Sequence, residues 1–277
     1  MSSYFPDTTK NQTTQLRNFI HIFQEFCANR AQCRLFLPPA APPAQQDLAT
    51  EALDPWRRNR TLPPRMTSSG TERRGFFLVF EGIDGAGTTS QQARLCQRLI
   101  ELGFQVHKTA EPTSNPVGRL IREVLRGHHA PFSPHALALL FAADRADHLA
   151  REIDPALAED KIVVCDRYIL SSLAYQTVAG VPIAMVAEAN ATFRIPDLTV
   201  YFDLPVEVAA QRRAKRAQTQ EIFEVDDFQR GVASLYQSQA RAWQESGRSV
   251  RFLDAAQTFE SVSAQLEALV LPAIANR

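Results

Sequence analysis

Residues Gly82-Ile83-Asp84-Gly85-Ala86-Gly87-Thr88-Thr89 combine three glycines, one carboxylate and two hydroxyls within eight positions. Glycines at this spacing let successive backbone N–H groups turn inward around an oxyanion, where a Cβ would obstruct them. The stretch fits the phosphate-loop pattern G-x-x-x-x-G-K-[ST] at every defined position except the lysine, where Thr88 stands. The loop candidates for binding the nucleotide phosphates are therefore Gly82, Ile83, Asp84, Gly85, Ala86, Gly87, Thr88 and Thr89. Thr89 is placed to offer its hydroxyl to Mg²⁺. A second carboxylate closes the apolar run Ile162-Val163-Val164-Cys165-Asp166. A strand-terminal aspartate beside a phosphate loop holds the same ion through its water shell. Asp166 could equally cap the next helix, or do both.

These groups need elements to carry them. Phe76-Phe77-Leu78-Val79-Phe80, directly before the loop, reads as a strand buried on both faces. After the loop, Leu95, Leu99 and Leu102 form one helical stripe, so a helix N-terminus with its partial positive charge faces the phosphate site. Four more strands are predicted: Gln105–Thr109, Ile162–Cys165, Leu198–Phe202 and Val250–Leu253. Ser133 as N-cap with Pro134 at the first helical position opens a long helix predicted to run to about Glu159. This alternation implies an α/β chain of the P-loop NTPase fold, with a five-stranded parallel sheet, helices on both faces and a small lid. In such sheets ligands bind beyond the carboxyl ends of the strands.

Composition narrows the function classes. The 277 residues carry a formal net charge of zero, so there is no broad basic footprint for nucleic acid or an anionic membrane. No apolar run reaches the roughly 18–20 residues that span a bilayer, and no secretory leader pattern opens the sequence. Cys27, Cys33, Cys96 and Cys165 form no metal-ligand spacing, and Cys96 and Cys165 sit in apolar stretches that suit buried thiols. A reducing cytoplasm is the expected compartment.

The chain divides near residue 75. Residues 1–74 are rich in Pro, Thr, Gln and Arg and contain the tract Pro38-Pro39-Ala40-Ala41-Pro42-Pro43-Ala44. One helix is predicted within them, on Leu16, Phe19, Ile20, Phe23, Phe26 and Cys27, but a single helix builds no core. The segment reads as a poorly ordered extension, or as the product of an upstream start codon with Met66 the true one, in preference to a functional arm. A transit peptide fits less well, because Asp7, Glu25 and Asp47 are acidic. Residues 75–277 then form the second unit.

Within that unit, Asp166-Arg167-Tyr168 followed by Ser171-Ser172-Leu173-Ala174-Tyr175-Gln176 resembles the corresponding region of thymidylate kinases. Phe80–Gly87, Glu111-Pro112-Thr113, Leu140–Arg145, Pro196–Asp203 and Phe223-Glu224 resemble the same family in the same order. The resemblance runs from about Phe76 to about Leu271. It implies transfer of a phosphoryl group from ATP to dTMP, with Mg²⁺, in a protein that is commonly a homodimer.

The resemblance also implies roles for single residues. Phe141 and Arg145, four apart on one helix face, would stack on the thymine ring and donate to its carbonyl edge. Tyr175 would stand against the deoxyribose, with Ser172 and Gln176 near the base. Asp84 would contact the 3′-hydroxyl and the acceptor phosphate, and Arg167 would bridge donor and acceptor phosphates. Arg212, Arg213, Lys215 and Arg216 lead into the family's lid at Ala217-Gln218-Thr219-Gln220, and Arg212 and Arg216 are the catalytic candidates among them. The chain departs from the family at three cations: Thr88 for the loop lysine, Ala110 before Glu111, and Ile222 before Phe223. Alternatives left open by these losses are a kinase of another pyrimidine nucleotide and a nucleotide-binding pseudokinase.

Overall fold

In the computed structural model, which describes residues 75–215 and 226–276, the apolar run at Phe76 is the central strand β1, Phe76–Gly82, buried along its whole length. The phosphate loop leads into helix α1 (Thr88–Glu101), then β2 (Val106–Ala110), α2 (Pro116–Leu125) and α3 (Pro134–His148). A single π turn, Leu149–Ile153, joins α3 to α4 (Asp154–Ala158). There follow β3 (Ile162–Asp166), α5 (Ile169–Val178), α6 (Ile183–Asn190), β4 (Leu198–Asp203) and α7 (Val206–Ala214). Helix α8 (Asp226–Glu245), β5 (Val250–Asp254) and α9 (Phe259–Ala275) complete the order. The helix expected within residues 16–27, the proline tract, Met66, Arg216, Ala217–Gln220 and Ile222–Glu224 lie outside the described residues.

The sheet has the order β2-β3-β1-β4-β5 and every pairing is parallel. Strands β1 and β3 are buried throughout, as their unbroken apolar runs require. The outer strands β2 and β5 are partly exposed. Phe77 meets Tyr168 edge-on at 5.2 Å, and Phe80 packs on Phe202 at 5.1 Å.

The register sets the site. Phe80 and Ala110 both pair with Asp166, so β1, β2 and β3 end side by side. The chain leaves β1 towards β2 on one side, and β4 lies on the other, which opens a crevice at the switch point.

Local chemistry accounts for the helices. Ser133 caps α3 by accepting from the Ala136 N–H at 3.2 Å, with Pro134 in the first turn. The long helix expected from Ser133 to Glu159 is broken by the π turn. Pro155 has no N–H to bond the carbonyl four residues back, so the chain re-registers before α4.

Candidate active site

Gly85 and Gly87 take the left-handed φ values of 96° and 89° that the turning loop needs. A Cβ on Gly85 would also meet the Ala209 carbonyl oxygen of α7 at 2.8 Å, so α7 lies directly against the loop. No side chain caps α1, which leaves its first amides pointing at the loop interior.

Asp166 is freed from capping duty by Glu81. The buried Glu81 carboxylate accepts from the amides of Tyr168, Leu170 and Ser171 at 3.0–3.4 Å, and so caps α5 from the neighbouring strand. It also accepts from Ser171 Oγ at 2.8 Å and Tyr236 Oη at 2.5 Å. Burial pushes its pKa up, against the pull of these donors. The Thr89 hydroxyl donates to Asp166 Oδ2 at 2.5 Å, while Asp166 Oδ1 is buried with no hydrogen-bond partner. A hydroxyl beside a carboxylate with an unsatisfied oxygen is the hard-oxygen donor set that suits Mg²⁺.

Arg167 follows in the left-handed region at φ 71°, its amide tied to the Phe80 carbonyl at 2.8 Å. For a side chain with a Cβ this conformation costs about 1–3 kcal/mol, and here it aims the guanidinium into the crevice. Arg167 pairs with Asp84 Oδ1 at 2.6 Å and lies 5.0 Å over the Tyr175 ring. The other Asp84 oxygen accepts from Tyr175 Oη at 2.8 Å and Gln229 Nε2 at 2.9 Å. Burial pushes the Tyr175 phenol up, so it remains a donor.

A cavity of about 300 Å³ opens in front of these groups. Its walls include Asp84, Thr89, Phe141, Arg145, Asp166, Arg167, Ser172, Tyr175 and Gln176, so one space gathers the sugar, base and metal candidates predicted from sequence. Arg145 is almost wholly buried there. Its Nε and Nη2 donate to Glu111 Oε2 at 3.0 and 2.6 Å, and Nη2 also reaches the Tyr168 carbonyl and Ser172 Oγ. Nη1 donates to Asn190 Oδ1. One Nη1 hydrogen is left for a ligand, so the fork is mostly committed to holding its own position. Gln176 Oε1 is buried with no partner.

The described lid arginines do not converge on one point. Arg213 Nη1 donates to the Asp84 carbonyl at 2.8 Å, on the phosphate loop itself. Arg212 Nη2 turns instead to the Ala255 carbonyl after β5, at 3.0 Å. Lys215 follows α7, and Arg216 lies outside the described residues.

The sequence model of the thymidylate kinase family matches residues 80–266. The chain belongs to the thymidylate kinase family. A probable thymidylate kinase of Pyrococcus horikoshii is 38% identical over 201 residues, which span 71% of this chain and 96% of the relative. A putative thymidylate kinase of Treponema pallidum is 44% identical over 168 residues, 58% of this chain and 77% of the relative. One from Pyrobaculum calidifontis, also named probable thymidylate kinase, is 44% identical over 168 residues, 60% and 83% of the two chains.

Two residues that sequence reading did not single out, Arg122 and Gln229, join the site, and Glu111, quoted only as part of a family stretch, gains a contact. Glu111 anchors Arg145. Arg122 of α2 lines the cavity wall near Ala110 and donates to the Pro112 carbonyl. Gln229 is the polar member of the buried α8 stripe that continues through Val232, Tyr236, Ala240 and Trp243. That lone amide in an apolar stripe was the available signal. Arg122 carried none, because only the docking of α2 brings it to the cavity.

Proposed function

We propose that this chain transfers the γ-phosphoryl group of ATP to dTMP, giving ADP and dTDP by in-line displacement without a covalent intermediate. The observation that carries the reading is the single cavity in which the phosphate-loop carboxylate Asp84 faces the Phe141–Arg145 pair. Phe141 supplies a ring for base stacking, and the remaining Arg145 hydrogen suits a base carbonyl. The buried, unpartnered Gln176 Oε1 suits the N3–H of thymine. Tyr175, fixed on Asp84, crowds the sugar and disfavours a 2′-hydroxyl. Thr89 and Asp166 would hold Mg²⁺, which when bound neutralises charge on the donor phosphates.

Phosphoryl transfer depends on positioning and charge, so the loop position held by Thr88 must be compensated. Among the described lid cations Arg213 is bonded to the phosphate loop, and its fork suits two phosphate oxygens. Arg122 offers acceptor-side charge in place of the arginine absent at Ala110. The same reading makes the protein a homodimer of a reducing cytoplasm.

A coupled ADP-release assay across dTMP, dUMP, UMP, CMP and AMP tests the function. The expected result is a clear kcat/KM preference for dTMP over every ribonucleotide. Equal values for dTMP and UMP would overturn the acceptor assignment, and MgATP binding without turnover on any monophosphate would overturn the enzyme.

A further inference from the structure

Behind the base-reading arginine runs a connected chain of buried and half-buried polar groups with no place in the reaction described so far. Glu111 offers Oε2 to Arg145 and Oε1 to Nδ1 of His148 at 3.0 Å. His148 is fully buried, and its other nitrogen, Nε2, lies 2.7 Å from Thr109 Oγ1. The Thr109 hydroxyl in turn donates to Glu152 Oε2 at 3.1 Å. Asn115 Nδ2 donates to the other Glu152 oxygen at 3.0 Å, and His107 Nε2 lies 3.5 Å from Oε2. On the far side, Asn190 is oriented by its own bond to the Val186 carbonyl at 2.7 Å and presents Oδ1 to Arg145.

Counting protons along this chain assigns a charge. Both carboxylates only accept, and a hydroxyl has one hydrogen to give. Thr109 gives its hydrogen to Glu152, so it must accept from His148 Nε2–H. Glu111 accepts from His148 Nδ1–H. Every bond is made only if both ring nitrogens carry hydrogen, which is the imidazolium form. With a neutral ring, either Thr109 turns from Glu152 or Glu111 faces a bare nitrogen. Among the other charged neighbours the carboxylates Asp144 and Glu152, the latter with Oε2 3.8 Å from Nε2, favour a positive ring, while Arg145 opposes it and is offset by Glu111 between them. Asp144 and Arg145 lie on its own helix, His107 shares Glu152 from β2, and signs alternate from Glu152 through His148 and Glu111 to Arg145.

We propose that His148 is a buried imidazolium that positions Glu111, and through it the Arg145 fork, so that it governs monophosphate affinity while touching no substrate. This rests on the reading of Arg145 as the base-contacting residue. An uncompensated Glu111 would draw both Arg145 edges towards itself, and the second cation lets one carboxylate oxygen serve each partner.

The test has a spectroscopic and a kinetic arm on the full chain. With ¹⁵N-histidine labelling, the signal lost in His148→Gln should show hydrogen on both ring nitrogens at neutral pH. His148→Gln should raise KM for dTMP by about tenfold, with kcat and KM for ATP within about twofold. Thr109→Val, which removes only the outer acceptor, should shift KM for dTMP the same way by about threefold, and it decides the kinetic arm should His148→Gln fail to fold. One bare ring nitrogen, an unchanged KM for dTMP, or equal losses for both substrates would each overturn the proposal. If the wild type ignores dTMP, the acceptor assignment fails, while the ring signal still decides whether the imidazolium exists.

Discussion

The two halves of the crevice are built in opposite ways. On the acceptor side, Arg145 is buried and nearly every donor is satisfied by Glu111, Asn190, Tyr168 and Ser172. On the donor side, the phosphate loop has no lysine, and Arg213 reaches it from a separate helix. The difference follows from what each half must do. A neutral base is read by a rigid hydrogen-bonding edge, which is best fixed before binding. Phosphate charge moves during the reaction, and a cation on a closing element can follow it.

The largest expected effect lies on the donor side. Arg213→Ala should lower kcat by about a hundred- to thousandfold, the usual loss when one preorganised donor to the transition state is removed. Steady-state kinetics with dTMP measure this directly, and a loss confined to KM for dTMP would blur the division between the halves.

On the acceptor side, Arg145→Lys keeps a charge opposite Glu111 but loses the fork. It should cost about 1.5–3 kcal/mol in kcat/KM for dTMP, with KM for ATP unchanged. A matching loss for ATP would show that the halves are not separable.

A smaller effect concerns Glu81, which joins the halves by capping α5 behind Arg167. Its folded pKa is raised above the ordinary 4.5, so its contribution to stability is present below that value and is lost as pH rises through the raised one. Glu81→Gln removes this dependence. The difference in Tm between variant and wild type should therefore move in the variant's favour as pH rises from 4.5 towards neutrality, and scanning calorimetry across that range checks the sign.

The smallest effect is expected from removing residues 1–65. All five strands of the sheet lie from Phe76 onward, so a chain starting at Met66 should keep its Tm and its nucleotide affinity. A marked fall in either would show that the extension docks on the kinase domain.

How legible each half was in the sequence follows the same division. The three central strands could be read because parallel strands buried on both faces are largely unbroken apolar runs, the outer two from their place in the strand–helix alternation, and the phosphate loop because its glycines are local. The π turn after His148 could not, since one proline only biases where a helix re-registers. Phe141 and Arg145 were legible as a helix pair four apart. The link from Glu111 through His148 to Thr109 was not, because strand β2, the turn after it and helix α3 must assemble before they meet. Adjacency in sequence also misled. Arg212 and Arg213 read as one cluster, but consecutive helix residues point about 100° apart, and they serve different carbonyls.

The central claim is that Arg213 does the work of the loop lysine absent at Thr88. The most direct measurement is a double-mutant cycle on kcat with wild type, Thr88→Lys, Arg213→Ala and the combined variant. If one cation replaces the other, Thr88→Lys should restore much of the rate lost in Arg213→Ala while changing the wild type little, giving a strong coupling between the two positions. Additive effects, with no rescue by the lysine, would contradict the account.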